Sequence, residues 1–278
     1  MTARHIPAKF AIGLALGCLA ISTSQAAPCG SGFDGWLADF RNDAAAEGIS
    51  PKTISVALDG LTEDPATLQR DRAQHVFTQT FEQFSGRMIS PDRMKKGPAL
   101  IVKYASVFDR VEKEYGVPAP IIVAIWGLET DFGVNQGKFQ VVRSVATLAH
   151  DCRRSDKFRT ELMATLRIID RGDMTPADLK GLWAGEIGQT QFLPSSYLEY
   201  AVDFDGNGKR DLIRSVPDVL ASTANYLKGK GWRRGEPWDE GTANFNVILE
   251  WNRAKIYART IALFAQRLDA TASALPTR

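Results

Sequence analysis

A chain of 278 residues with 44% hydrophobic and 24% charged content is long enough for a sizeable core, in one or two compact domains. Its formal net charge of +2 rests on the first 26 residues: removing Arg4 and Lys9 from the 34 basic residues leaves 32 against 32 acidic ones, a net charge of 0. That balance excludes a general electrostatic preference for nucleic acid or anionic membrane, so any polyanion must be bound by local geometry.

Residues 1–26 read as a secretory signal peptide. Arg4, His5 and Lys9 precede the apolar run Phe10–Ile21, and Ser24-Gln25-Ala26 resembles a small-residue cleavage site. The run is too short to span a bilayer. Cys18 after Ala15-Leu16-Gly17 offers a lipoprotein alternative, disfavoured because the apolar run continues past that cysteine. Export leaves Cys29 and Cys152 in an oxidising compartment, where a disulfide is expected and two unpaired thiols are the alternative. In the chain-entropy account, closing so long a loop contributes about 4 to 5 kcal/mol.

Phe33, Trp36, Leu37 and Phe40 recur at helical spacing, so the exported region begins with an amphipathic helix. Ser50-Pro51 and Ser90-Pro91 each place a capping side chain before a proline suited to the first helical turn. Ile101, Tyr104, Phe108, Val111 and Tyr115 continue the 3.6-residue period to Gly116. Pro118–Gly133 then opens with two prolines and runs through Ile121, Ile122, Val123, Ala124, Ile125, Trp126 and Leu128, apolar on every face, which predicts a core helix ending near Gly133. Asp151–Arg171 predicts another helix, and Thr175-Pro176 starts a short one. Strand patterns are scarce, the best being Asn244–Leu249, and Trp251–Asp269 predicts a terminal helix packing back on earlier ones. The fold class expected is mainly α.

Three stretches carry chemistry. Glu129 sits in the core helix on one stripe with Ile122, Ile125 and Trp126, close to the helix C-terminus. Desolvation and the helix dipole both favour its neutral form, as a general acid requires, while an ion pair or a solvent-reaching glutamate is the alternative. Gly185–Tyr197 combines closely spaced glycines with Gln191, Phe192 and Tyr197, a mixture of hydrogen-bonding and stacking groups that suits a glycan and that a plain polar loop into a capped helix also accommodates. Asp203, Asp205 and Asn207 at positions 1, 3 and 5, Gly208 at position 6 and the Lys209 carbonyl at position 7 make the first half of an EF-hand-like calcium loop once the turn glycines Gly206 and Gly208 are included. Position 12 is Arg214, which cannot close such a site; Asp218 can if the loop is lengthened, and a metal-free Asx-rich turn is the alternative. His75 and His150 stand in no zinc spacing, and no serine-nucleophile elbow or nucleotide phosphate loop is present in the sequence.

Trp126-Gly127-Leu128-Glu129-Thr130-Asp131-Phe132-Gly133, then Gly188-Gln189-Thr190-Gln191-Phe192-Leu193-Pro194-Ser195-Ser196-Tyr197, then the Asp203 loop and Ala224-Asn225-Tyr226-Leu227 resemble the lytic murein transglycosylase B family in order and content. The resemblance covers nearly the whole exported region. It implies a lysozyme-like helical core with a calcium loop and few short strands, and a monomer acting on peptidoglycan in the periplasm. It assigns Glu129 as the acid/base. Arg153, Arg154, Gln191, Phe192, Trp251, Asn252 and Tyr257 would meet substrate, and Asp203, Asp205, Asn207, Lys209 and Asp218 would hold Ca2+. Expected divisions are a signal at 1–26, a helical region at 27–100, the catalytic core at 101–250 and a returning helix at 251–278.

The chain departs from the family pattern at two positions. Leu182 replaces a hydroxyl near the catalytic carboxyl, and Glu186 adds a carboxylate that either enters the cleft or, the favoured expectation, points to solvent or pairs with a surface cation. The rivals to a transglycosylase are a muramidase that admits water, with Glu186 or Asp131 as its second carboxylate, and a non-catalytic peptidoglycan-binding scaffold.

Overall fold

A computed structural model describes residues 29–30, 32–73 and 79–273. The proposed signal segment 1–26, His75 and residues 274–278 lie outside that range. Among the described residues no helix is long and apolar enough to cross a membrane.

The chain is mainly helical. Its first part carries α1 (Phe33–Ala46), α2 (Pro51–Leu58), α3 (Pro65–Arg72), α4 (Phe81–Met88), α5 (Pro91–Lys103) and α6 (Ala105–Tyr115). Starts are set by local chemistry: Ser50 and Ser90 accept from Thr53 N and Arg93 N, each with proline at the first helical position, as their spacing predicts. The periodic run Ile101–Tyr115 is broken at Tyr104, which closes α5 and opens α6, and Gly116 ends α6 in the left-handed conformation (φ 76°).

Next comes α7 (Ala119–Thr130), in which every residue from Ala119 to Leu128 is buried. It stops at Thr130, three residues before the predicted glycine, because Asp131 (φ 53°) and Phe132 (φ 62°) already turn left-handed and fold the Phe132 ring edge-on against Trp126 at 5.6 Å. A minimal antiparallel sheet pairs β1 (Phe139–Gln140) with β2 (Lys180–Gly181), enclosing α8 (Val141–His150) and α9 (Ser155–Asp170). α9 begins four residues later than the sequence suggests, since residues 151–154 form the turn in which Cys152 is bonded to Cys29. Thr175-Pro176 yields a turn and no helix; Thr175 Oγ1 donates to Asp178 Oδ2 at 2.6 Å and closes it.

The remaining helices are α10 (Pro194–Tyr200), α11 (Val216–Gly229), α12 (Ala243–Trp251) and α13 (Lys255–Ser273). Asn244–Leu249, expected as the best strand, lies within α12. Thr242 caps it by accepting from Phe245 N, and the helix buries Asn244, Phe245, Val247 and Ile248, so the alternation in sequence was incidental. Trp251 ends α12 and is not the first residue of a single terminal helix: the chain extends at Asn252, whose Oδ1 accepts from Ala254 N at 3.0 Å just before α13.

Packing puts α7 at the centre. It lies against α13 and α5, while α8 packs on α9, α9 on α10, and α11 on α6. Gly127 makes the α7–α13 approach possible: a Cβ there would lie 2.8 Å from the Phe132 ring and 3.1 Å from Phe264. Gly127→Ala should therefore cost about 1 to 3 kcal/mol by overpacking, read as a lower midpoint in urea with an unchanged slope.

Candidate active site

Glu129 is the one residue of α7 between Ala119 and Thr130 that keeps partial access to solvent. Both of its protein hydrogen bonds converge on a single oxygen: Trp251 Nε1 donates to Oε1 at 3.0 Å and Tyr257 OH at 2.9 Å. Oε2 has no hydrogen-bond partner among the described residues, and Glu129 lines a cavity of about 380 Å³. Burial raises the carboxyl to about 7, above the opposing effects of Trp251 and Tyr257, and the charge of Glu186 pushes the same way. An acid poised near neutral pH, with one oxygen fixed and one free, can deliver and recover a proton.

The helix carrying Glu129 is clamped by a residue that the sequence reading passed over. Gln189, buried, accepts from Trp126 Nε1 at 2.9 Å and donates to the Ile213 carbonyl at 3.0 Å. Its own carbonyl accepts from Thr130 Oγ1, which in turn accepts from Gly133 N. A glutamine two residues before a named candidate, among glycines, carried no separate signal.

Of the residues implied by resemblance, Arg154, Gln191, Phe192, Trp251 and Asn252 line the cavity with Glu129. Phe192, Tyr226 and Trp251 meet edge to face, at 5.5 Å for Phe192–Trp251 and 4.9 Å for Tyr226–Trp251, and form its aromatic wall. Gln191 adopts a left-handed backbone (φ 54°) and turns its amide to the Gly188 carbonyl at 2.6 Å. Tyr257 acts through Glu129 and is buried behind it. Arg153 does not border the cavity; it and Arg154 both pair with Asp71, a buried carboxylate on α3. Tyr197 is fully buried and donates to the Arg210 carbonyl, which makes it a loop strut and not a glycan contact.

The two carboxylates proposed beside Glu129 separate cleanly. Asp131 is outside the cavity, bonded to Arg93 Nε at 2.6 Å and Asn135 Nδ2 at 3.0 Å, and the Arg93 bond holds its carboxyl below the usual range. Glu186 lies inside, contrary to the favoured expectation. Its Oε2 accepts from Ala184 N at 3.1 Å, and burial raises its carboxyl against the pull of Lys157 and Arg154. Leu182 is also on the cavity wall, an apolar surface at the position of the missing hydroxyl.

A separate acidic cluster joins Asp203, Asp205 and Asp218, which offer carboxylate oxygens within 4.8 Å of one another. Asp218 is fully buried on the first turn of α11, accepts from Phe204 N, Asp205 N and Asp211 N, and so reaches back over the loop as the lengthened-loop reading requires. Burial, then the charge of Asp205, raises its carboxyl. An all-oxygen donor set of this kind suits a hard divalent cation. Asn207 Oδ1 lies in the same loop and accepts from Lys209 N at 2.9 Å.

Residues 32–241 match the family described as Transglycosylase SLT domain. The chain is 39% identical over 155 residues to membrane-bound lytic murein transglycosylase B of Escherichia coli strain K12, a match spanning 55% of this chain and 43% of that protein. Its fold is similar to that of SltB3 from Pseudomonas aeruginosa in complex with NAG-anhNAM-pentapeptide, with a TM-score of 0.81 and 33% identity over 86% of this chain and 80% of that one. It is also similar to the Escherichia coli lytic transglycosylase Slt35 in complex with calcium, with a TM-score of 0.76 and 25% identity over 85% and 93% of the two chains.

A carboxyl raised from its ordinary 4.5 to about 7 stabilises the folded state fully at pH below 4.5, and that contribution is lost as pH rises through 7. Glu129→Gln keeps the volume without the charge. Its stability relative to the parent should therefore increase between pH 5 and pH 8, with a ceiling on the order of 3 kcal/mol, seen as a widening gap between the two melting temperatures.

Proposed function

The chain belongs to the transglycosylase SLT domain family, and from that premise we propose that it is a lytic transglycosylase cleaving the β-1,4 bond between N-acetylmuramic acid and N-acetylglucosamine in peptidoglycan. The single observation that carries this reading is Glu129: a carboxyl held near neutrality on the wall of the cavity, with Oε1 fixed by Trp251 and Tyr257. Protonated, it gives its proton to the leaving glycosidic oxygen. As the carboxylate, it then takes one from the muramyl C6 hydroxyl, which attacks the anomeric carbon and forms a 1,6-anhydro end. The relative seen with NAG-anhNAM-pentapeptide supports that product.

Tyr226 and Trp251, half-buried and backed by the buried Phe192 ring, supply faces for sugar rings, and Arg154 and Asn252 supply polar contacts along the same wall. We propose action as a monomer. The signal-like segment supports a periplasmic location, and the calcium-bound relative supports a bound Ca2+. Asp203, Asp205, Asn207, the Lys209 carbonyl and Asp218 would hold that ion, which supplies structural closure of the loop and takes no part in proton transfer. A non-catalytic scaffold has no use for an acid whose burial is destabilising above neutral pH, which favours turnover.

Glu129→Gln should lower the rate of murein clearing in zymograms by about 10²-fold or more, with binding to the insoluble sacculus retained. A variant keeping more than about a tenth of the parent rate is incompatible with the acid/base assignment. Added Ca2+ should raise the melting temperature and a chelator should lower it without abolishing folding, because the loop closes on a domain that has its own core. Equal melting under both conditions would leave the Asp203 loop as a plain turn.

A further inference from the structure

The loop from β2 to Gln191 delivers a second carboxylate to the cavity, and its backbone is tightly fixed. A Cβ on Gly181 would fall 1.7 Å from the Glu186 carbonyl oxygen, and one on Gly185 would fall 2.2 Å from Val145 Cγ1, so neither position tolerates a side chain without rearrangement. Gly181 bridges to Ile187, and Ile187 to Phe192. Leu182 N donates to the Glu186 carbonyl at 3.3 Å and Gly185 N to the Leu182 carbonyl at 3.2 Å. The side chain is then anchored by Oε2 on Ala184 N at 3.1 Å and by the backbone amide of Glu186 itself. Glu186 is thus, like Glu129, a carboxylate held by named donors on the wall of the same cavity.

We infer that Glu186 gives this cleft a hydrolytic branch, in which its carboxylate accepts a proton from a water that attacks the anomeric carbon in place of the muramyl C6 hydroxyl. The inference rests on the transglycosylase reading for substrate and for the role of Glu129. Three features of the cavity favour the branch. Arg154 and Lys157, both near the start of α9, line the cavity with Glu186 and offset part of the burial that raises its carboxyl, whereas Glu129 is surrounded by Tyr257, Trp251 and the apolar body of α7. Two carboxyls that sense each other in a desolvated space share a proton unequally, which yields one acid and one base. With Asp131 outside the cavity and tied to Arg93, Glu186 is the candidate that remains of the two named from sequence.

The step balances. Glu129 protonates the glycosidic oxygen as the C1–O bond breaks. Water forms the new C1–O bond and passes a proton to Glu186, and that proton returns to Glu129 through solvent. The net change is addition of one water, giving a reducing muramic acid end and a free hydroxyl on the departing sugar. The C6 route consumes no water, so the two outcomes of one bond cleavage are chemically distinct.

Digestion of polymeric peptidoglycan in heavy-oxygen water, read by mass spectrometry, counts both ends at once. The full chain should release labelled reducing ends beside anhydro ends. In Glu186→Gln, which keeps shape and removes the base, the ratio of reducing to anhydro ends should fall about tenfold or more, and Glu186→Asp, with the carboxylate drawn back, should give an intermediate ratio. Anhydro ends alone from the parent chain, or an unchanged ratio in Glu186→Gln, overturns the inference and leaves the transglycosylase reading intact. The parent arm decides even where a variant fails to fold. Absence of any cleavage, or full activity in Glu129→Gln, would instead overturn the reading on which the inference stands.

Discussion

Keeping one carboxylate partly dry is the constraint around which this molecule is arranged. An ionised carboxyl loses more on leaving water than any single hydrogen bond returns, so the group answers by holding its proton to higher pH. α7 imposes that condition, because ten consecutive buried residues precede Glu129 and no cation of the same helix offsets it. Trp251 and Tyr257 moderate the effect by donating to one oxygen, which keeps the titration near neutrality where transfer in both directions is accessible.

Holding such a group in one geometry requires rigidity on every side of the helix. Gln189 ties Trp126 and, through its carbonyl, Thr130 to the loop that also presents Gln191 and Phe192. Asp131, Phe132 and Gln191 sit left-handed without being glycine, a conformation that persists only where surrounding contacts overdetermine it. Arg93 holds Asp131, the Phe132 ring packs on Trp126, and the amide of Gln191 turns back onto its own loop. Backbone strain thus flanks the acid on both strands of the chain that meet there, and each strained residue has a named restraint.

The acid was legible in the sequence because its signal is local: a glutamate inside an all-apolar helix is conspicuous at any level of description. Helix starts at Ser50 and Ser90 were legible for the same reason, and so was the disulfide, since export left only one pairing. The calcium-type loop was half visible, because Asp218 enters from the next helix and no spacing rule within the loop places it there. What stayed hidden depends on distant partners. Arg153 and Arg154 are adjacent in sequence and both pair with Asp71, more than eighty residues earlier, yet only Arg154 lines the cavity, and neither fact is written in local spacing. Asn244–Leu249 alternates like a strand yet folds as a helix, because Thr242 caps it and its buried face is defined by neighbours in space. Glu186 reaches the cavity through a backbone path set by glycines whose neighbours, Val145 and Glu186 itself, cannot be read from composition.

The two donors that hold Glu129 lie 122 and 128 residues after it. A chain emerging from the ribosome or the export channel therefore makes its acid long before it makes the groups that restrain it. α13 packs directly on α7, so the flank of the helix that carries Glu129 is covered only by the last element of the fold. The geometry that restrains the acid is thus completed only when the last two helices are in place, a consequence of topology alone. A chain cut before Trp251 lacks both donors to Glu129.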